Sequence, residues 1–250
     1  MRKKIAAGNW KMNLLAHQAA ELANELDHFS SKENTACRIC IFPPALYLPS
    51  LSANLKHVEI GAQNFYPKET GAFTGEISMS QLSSIGVKKV LVGHSERRSI
   101  FHEEDQFINQ KIQFALENEA EVFFCIGEVL EDRKSNSHFD IVREQIEKGL
   151  KGIELYQMSS LVIAYEPVWA IGTGETASPE QAQEMHAAIR SKLADMFSND
   201  TAQNTSILYG GSVKPSNARE LFDQEDVDGG LVGGASLSAP DFIEIINALK

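Results

Sequence analysis

Eight short apolar runs, each followed by a segment of helical character or a polar loop, constrain the fold of this chain more than any other feature. The runs are Ile5 to Ala7, Ile39 to Phe42, Val58 to Ala62, Val90 to Val92, Val122 to Ile126, Leu161 to Ala164, Ile207 to Tyr209 and Leu231 to Val232. They are continuous rather than alternating, as expected of strands buried on both faces of a parallel sheet covered by helices. Between them, Leu15, Ala19, Leu22, Leu26 and Phe29 fall on one helical face, as do Ile108, Ile112 and Ala115. Phe139, Val142, Ile146 and Leu150 repeat the pattern, and so do Ala182, Met185, Ile189 and Leu193. Ser178-Pro179-Glu180-Gln181 supplies an N-cap serine, a proline at the first helical position and a glutamine placed for a capping box. Ser238-Ala239-Pro240-Asp241 starts the last helix in a similar way.

An α/β alternation of this kind allows a closed (β/α)8 barrel or an open doubly wound sheet. The open sheet would most naturally carry G-x-G-x-x-G after its first strand, whereas Gly8 is followed by Asn9-Trp10-Lys11, which favours the barrel. A chain of 250 residues fits one barrel around one core, and no linker, low-complexity tract or short repeat divides it. Residues 1–250 are therefore expected to form a single domain. One connection is long, running from Asn64 through Pro67, Gly71 and Gly75 to a helix near Ser80. Loops of that length usually carry function.

A hydrophobic content of 43% with 23% charged residues is that of a chain that folds on its own. The formal charge of −11 repels polyanions, which argues against nucleic acid or an anionic membrane as partner. Any anionic substrate must be held by local groups. No apolar run has the length of a membrane span, and Met1-Arg2-Lys3-Lys4 leads into only a short apolar stretch, so a cytoplasmic location is expected. Three cysteines do not suggest a disulfide framework. Cys37 and Cys40 form a C-x-x-C with no second pair, inside a strand-like run. Their side chains should point to opposite faces, as packing residues rather than metal or redox groups.

In a barrel, the loops after the strand C-termini share one face, so polar residues just past separate apolar runs converge. Asn9 and Lys11 follow the first run, His94 and Glu96 the fourth, and Glu166 the sixth. Gly211 and Ser212 follow the seventh, with Gly233 and Gly234 after the eighth. Taken singly, a glutamate or lysine at a strand end is a surface charge, a histidine is structural, and a Gly-Gly pair marks a turn. Their common position is what makes them candidates.

The motifs around these residues are specific. Gly8-Asn9-Trp10-Lys11-Met12-Asn13, Val92-Gly93-His94-Ser95-Glu96-Arg97-Arg98, Ala164 to Gly174, Tyr209-Gly210-Gly211-Ser212-Val213 and Leu231-Val232-Gly233-Gly234-Ala235-Ser236-Leu237 resemble the signatures of the triosephosphate isomerase family. They occur in the family's order, and the likeness runs from about Lys4 to Leu249. The resemblance implies a single-domain (β/α)8 TIM barrel that interconverts dihydroxyacetone phosphate and glyceraldehyde 3-phosphate through an enediolate. It implies no cofactor and no metal, a place in glycolysis and gluconeogenesis, and a homodimer.

Such a reaction removes a proton beside a carbonyl, stabilises the resulting charge and returns a proton to the neighbouring carbon. By resemblance, Glu166 is the base, its basicity raised when the loop after it closes and excludes water. Pro167-Val168-Trp169 and Gly172-Thr173-Gly174 would be the two ends of that lid. His94 would hydrogen-bond the substrate oxygens as a neutral acid, kept neutral by the start of a short helix near Ser95. Lys11 would supply fixed positive charge, oriented by Asn9, and Glu96 would be a supporting carboxylate. Backbone N–H groups of Gly172, Ser212, Gly233 and Gly234 would hold the phosphate. Cys125 resembles a packing residue beside the base, and Arg97 with Glu103 an ion pair behind the site. Asn64 to Glu76 is similar to the family's interdigitating dimer loop, with Thr74 reaching the partner's Asn9 and Lys11 region. Glu175 departs from the family, many of whose members carry lysine there at the far hinge of the lid.

Other chemistries are less well served. A metal-dependent sugar-phosphate epimerase would need ligand spacing such as H-E-x-x-H, and neither G-x-S-x-G nor a Walker sequence is present. Retention of Lys11, His94 and Glu166 together argues against a barrel kept only for binding.

Overall fold

The computed structural model describes residues 2–33, 35–171 and 176–249. Its strands are β1 (Ile5–Asn9), β2 (Arg38–Phe42), β3 (Glu59–Ile60), β4 (Lys89–Val92), β5 (Glu121–Ile126), β6 (Leu161–Tyr165), β7 (Ile207–Tyr209) and β8 (Gly229–Val232). All pair in parallel, in the order β3-β2-β1-β8-β7-β6-β5-β4. The two ends of that order meet where Ala62 N–H donates to Lys89 O at 2.8 Å and Leu91 N–H to Ala62 O at 2.9 Å. The sheet is thus closed into a (β/α)8 barrel, which leaves no open edge.

The continuous apolar runs follow from this closure. Successive side chains on a strand point to opposite faces. One set, including Ile5, Ala7, Phe42, Phe123, Val162 and Leu208, packs together inside the barrel. The alternate set, including Ala6, Ile41, Val90, Val122 and Ile163, packs outward under the helices. Cys40 belongs to the interior and Cys37 packs against the outer cluster, so the two do face opposite ways. At the N-terminal end of the barrel, Arg38 reaches both Glu59 (Nε–Oε1 2.9 Å) and Glu121 (Nη1–Oε1 2.7 Å). Lys89 stands 3.4 Å from Glu59. Burial works against the Glu59 carboxylate, but Arg38 more than offsets it and holds its pKa below the usual range.

The helical faces expected from periodicity are largely the buried ones. Ala19, Leu22 and Leu26 are buried in the helix Ala16–Lys32, Ile108, Ile112 and Ala115 in Asp105–Glu117, Val142 and Ile146 in His138–Gly149, and Ala182, Met185, Ile189 and Leu193 in Pro179–Met196. Ser178 caps the last of these: its Oγ accepts the Gln181 N–H, while the Gln181 side chain accepts the Ser178 N–H.

Three local expectations change. Leu15 is 62% exposed because the helix starts after it, and its N–H is taken by the Gln18 side chain. The third strand is shorter than Val58 to Ala62: at its start Asp27 Oδ1 takes the Val58 N–H at 2.9 Å, with those of Lys56 and His57 before it, and at its end Ala62 joins β4 only through an isolated bridge. The eighth strand begins earlier, at Gly229, whose φ is +134°. A Cβ there would lie 1.9 Å from Ile5 O, so only glycine lets β8 approach β1 this closely.

Candidate active site

The first strand delivers Asn9 and Lys11. Lys11 has φ of +52°, a left-handed backbone that costs a non-glycine residue about 1–2 kcal/mol, so neighbours must hold it there. Asn9 Oδ1 accepts its N–H at 3.0 Å, and Gln63 Nε2 donates to its carbonyl at 2.8 Å and to Phe42 O at 2.9 Å. Asn9 thus orients Lys11 as expected, through the backbone. The Lys11 ammonium pairs with Glu96 Oε1 at 2.7 Å.

After β4, Gly93 turns the chain at φ +79°, and His94 caps the short helix Ser95–Ser99. Glu96 N–H donates to His94 Nδ1 at 3.2 Å, which leaves Nε2 to carry the proton of the neutral ring. Nε2 faces Glu166 Oε1 at 2.9 Å, and the other oxygen of Glu166 accepts Ser95 N–H at 2.9 Å. Glu166 is only 2% exposed. Burial works against an imidazolium at His94, but the Glu166 carboxylate more than offsets it, so the pKa stands above the ordinary histidine value while the two side chains touch.

Glycine turns follow β7 and β8. Gly210 packs on Glu166, since a Cβ there would lie 2.9 Å from Glu166 Cγ. A Cβ on Gly233 would stand 4.0 Å from the Lys11 ammonium, and one on Gly234 would meet no described atom within 4 Å. Asn9, Lys11, His94, Glu166, Ser212, Gly233 and Gly234 all line one cavity of about 310 Å³, as does Ile171 at the start of the lid segment. The structure therefore brings together every expected site residue it describes except Glu96, which pairs with Lys11 on the rim with its side chain 43% exposed. Gly172, Thr173, Gly174 and Glu175 lie outside the described residues.

The supporting pairs are also in place. Cys125 is fully buried, and burial first, then the nearby Glu166, pushes its thiol well above the usual range, as befits a packing residue. Arg97 Nε meets Glu103 Oε1 at 2.6 Å. Three supporting residues were not singled out from the sequence for these tasks. Gln63 clamps the Lys11 backbone. Glu128, buried, accepts from Tyr165 Oη at 3.0 Å and Trp169 Nε1 at 2.9 Å, and its carbonyl takes the Val168 N–H at 3.0 Å, which ties down the segment that follows β6. Lys111, also buried, bonds Asn64 Oδ1 at 2.5 Å and Glu103 Oε1 at 3.0 Å, anchoring the long third connection. The motif Cys-Ile-Gly-Glu contains Glu128, but nothing in a sequence marks a carboxylate as buried.

Comparison with known proteins agrees with this geometry. The family model described as Triosephosphate isomerase matches residues 4–249. A triosephosphate isomerase from Flavobacterium johnsoniae is 53% identical over the full length of both chains, and one from Flavobacterium psychrophilum is 51% identical, again over the full length of both. A third, from Porphyromonas gingivalis, is 46% identical over 99% of this chain and all of its own.

Proposed function

Because this chain belongs to the triosephosphate isomerase family, and is an aldose–ketose isomerase, we propose that its buried Glu166 moves the proton between dihydroxyacetone phosphate and glyceraldehyde 3-phosphate. The observation that carries this reading is the contact between Glu166 and His94 at 2.9 Å on the wall of a cavity that Lys11 and two glycine turns also line. No redox or group-transfer partner is needed, since the substrate's own proton and electrons are rearranged. This is a step of glycolysis and gluconeogenesis.

The substrate carbonyl and its neighbouring hydroxyl enter between His94 and Glu166. Glu166 then exchanges the donors Ser95 N–H and His94 Nε2–H for a C–H bond, and a carboxylate that gives up two hydrogen bonds becomes a stronger base. His94 Nε2–H turns to the substrate oxygens, where charge develops as the proton leaves. With the carboxylate no longer against it, the ring loses what raised its affinity for a second proton and acts as a neutral acid. The Lys11 ammonium lies on the phosphate side and stabilises both the enediolate oxygen and the phosphate. Asn9 holds Lys11, and Glu96 holds its ammonium until substrate arrives. Phosphate sits on the N–H groups of Ser212, Gly233 and Gly234, joined by that of Gly172, which lies outside the described residues.

The same proposal makes residues 1–250 one catalytic domain, cytoplasmic and homodimeric through Asn64 to Glu76. Supporting a partner surface, Met12, Leu46 and Phe101 are 96%, 83% and 61% exposed in the connections after β1, β2 and β4. Phe73 packs on Tyr66 with ring centroids 4.4 Å apart and the rings tilted by 36°, which stiffens the loop. No helix among the described residues is long and apolar enough to cross a membrane. The deciding assay is isomerisation of dihydroxyacetone phosphate by chelator-treated protein in deuterated water. Turnover with solvent deuterium at the transferred position supports the base mechanism, and a requirement for added metal refutes it.

A further inference from the structure

We propose that Gln145 is a positioning residue for the isomerase: its side-chain amide fixes Gly127, the peptide against which the catalytic glutamate rests. The inference takes Glu166 as the base, as argued above.

The backbone at the end of β5 runs beside the segment that carries Glu166 and the first residues of the lid. Ile126 O accepts the Glu166 N–H at 2.7 Å, and Glu128 O accepts the Val168 N–H at 3.0 Å. Gly127, between them, turns its own peptide groups to a single side chain. Its N–H donates to Gln145 Oε1 at 2.8 Å and its carbonyl accepts from Gln145 Nε2 at 2.9 Å. A primary amide carries a donor N–H and an acceptor oxygen side by side, so it can meet a residue's C=O and N–H together with two separate atoms.

Two further observations tie this clamp to the base. A Cβ on Gly127 would stand 1.8 Å from Glu166 O, so the two backbones are at their closest here and a movement of one displaces the other. Gly127 also borders a cavity of about 260 Å³ that Gln145, Ile126, Val168 and Glu166 itself line. The backbone of Glu166 packs on Gly127, and where Gly127 borders the cavity the Gln145 amide holds its N–H and C=O. Gln145 itself is carried by the helix His138–Gly149, whose Val142 and Ile146 are buried in the core. The line of support therefore runs from the core through the helix and Gln145 to Gly127 and then to Glu166. Proton abstraction is steeply sensitive to where the carboxylate stands, and a misplacement of about 1 Å can cost ~10²-fold in rate.

The test is steady-state kinetics of Gln145→Met and Gln145→Glu between pH 5 and 9, beside the parent and Glu166→Gln. Gln145→Met keeps the length and removes both polar partners. Its kcat should fall roughly 10- to 100-fold with KM within about twofold, because the phosphate-binding turns lie after other strands. Gln145→Glu keeps the shape and the acceptor, and serves should the methionine variant not fold. When ionised, its second oxygen opposes Gly127 O. When protonated, it can donate to that oxygen. The ratio of its kcat to the parent's should therefore be lowest at high pH and climb as pH falls through the new carboxyl's titration, a rescue that general loss of stability does not produce. A kcat within about twofold of the parent for Gln145→Met, a defect confined to KM, or a pH-independent ratio for Gln145→Glu would overturn the inference. Glu166→Gln separates it from the reading it rests on: if that variant turns over normally the base assignment falls, and if it is inactive while the Gln145 variants are not, only the positioning role falls.

Discussion

His94 Nε2 and Glu166 Oε1 are 2.9 Å apart, while the opposite ring nitrogen of His94 accepts the Glu96 N–H at 3.2 Å. The imidazole is thus pulled toward the charged form from one side and held in a neutral tautomer from the other. The carboxylate prevails while it is in contact, and the His94 pKa lies above its ordinary value. Nitrogen-resolved NMR titration should find it above ~6.5 in the free enzyme. It should fall when Glu166→Gln replaces the carboxylate, because burial alone then acts on the ring. It should also fall when an anionic mimic of the enediolate separates the pair. By linkage, the contact's contribution to stability is fully present below the unfolded histidine pKa and is lost as pH rises through the raised folded value. Parent and Glu166→Gln unfolding curves should therefore differ most on the acid side of that window. A His94 pKa that ignores Glu166→Gln would contradict this account.

Gly234 tests the phosphate wall without touching the fold. A methyl at this position meets no described atom within 4 Å, so Gly234→Ala should leave the melting temperature close to the parent's. Gly234 lines the cavity proposed to hold the phosphate, so KM should rise about 10-fold or more, in the range that misfit of one methylene costs a pocket. Inorganic phosphate should weaken as a competitive inhibitor in parallel. Gly127→Ala is the contrasting variant, since its methyl would meet Glu166 O at 1.8 Å and must shift the base's backbone. Calorimetry with inhibition assays checks both, and a Gly234→Ala enzyme that binds phosphate normally would remove Gly234 from the site.

The site was legible because a barrel turns a rule about single strands into a rule about one place. Asn9, Lys11, His94, Glu166, Ser212, Gly233 and Gly234 lie far apart in sequence, yet each follows an apolar run, and the cavity gathers them. What escaped were groups whose partners are backbone atoms of other loops. Gln63 stands just ahead of the long connection that begins at Asn64, and it acts on the Lys11 carbonyl. Gln145 sits on a polar helix position and acts on Gly127. Asp27 trims the start of β3 by taking the Val58 N–H, which hydrophobic pattern assigns to the ladder. Periodicity reports which face of an element is apolar, not which polar side chain on that face finds a distant peptide.

Arg38 should be among the costlier polar side chains to remove. From β2 it meets Glu59 of β3 and Glu121 of β5 at the N-terminal end of the barrel, and Lys89 alone cannot replace a fork of donors. Arg38→Met leaves two half-buried carboxylates facing each other. Breaking a fully buried pair costs about 3–5 kcal/mol, and these carboxylates remain a fifth to a third exposed, so about 2 kcal/mol is expected by urea denaturation at pH 7. Because Arg38 depresses the Glu59 pKa, its stabilising effect is present above the unfolded carboxyl pKa and is lost as pH falls through the lowered folded value. The gap between parent and variant should therefore narrow on acidification. Turnover of the folded fraction should be unchanged, since the catalytic groups lie at the other end of the barrel.

Lys111 gives the opposite pH signature. Burial, only partly offset by Glu103, lowers its pKa from 10.5 to about 8. The unfolded chain then binds more protons than the native one between about pH 8 and 10.5, so the Lys111 contribution to stability grows with pH across that window. Below it, the charged form is held at a cost, and what it secures is the bond to Asn64 at the root of the long third connection. In Lys111→Met, Glu103 keeps its contact with Arg97, so no carboxylate is stranded and the barrel should remain folded. Urea denaturation at pH 7, 8, 9 and 10 should show the parent gaining on Lys111→Met step by step as pH rises. The high tyrosine and thiol pKa values of the core are common to both proteins and cancel in the difference. If Asn64 to Glu76 forms the dimer contact, Lys111→Met should also dissociate at higher protein concentration than the parent at pH 7, as sedimentation would reveal. A stability difference that stays flat from pH 7 to 10 would mean that Lys111 is not buried as a charged group.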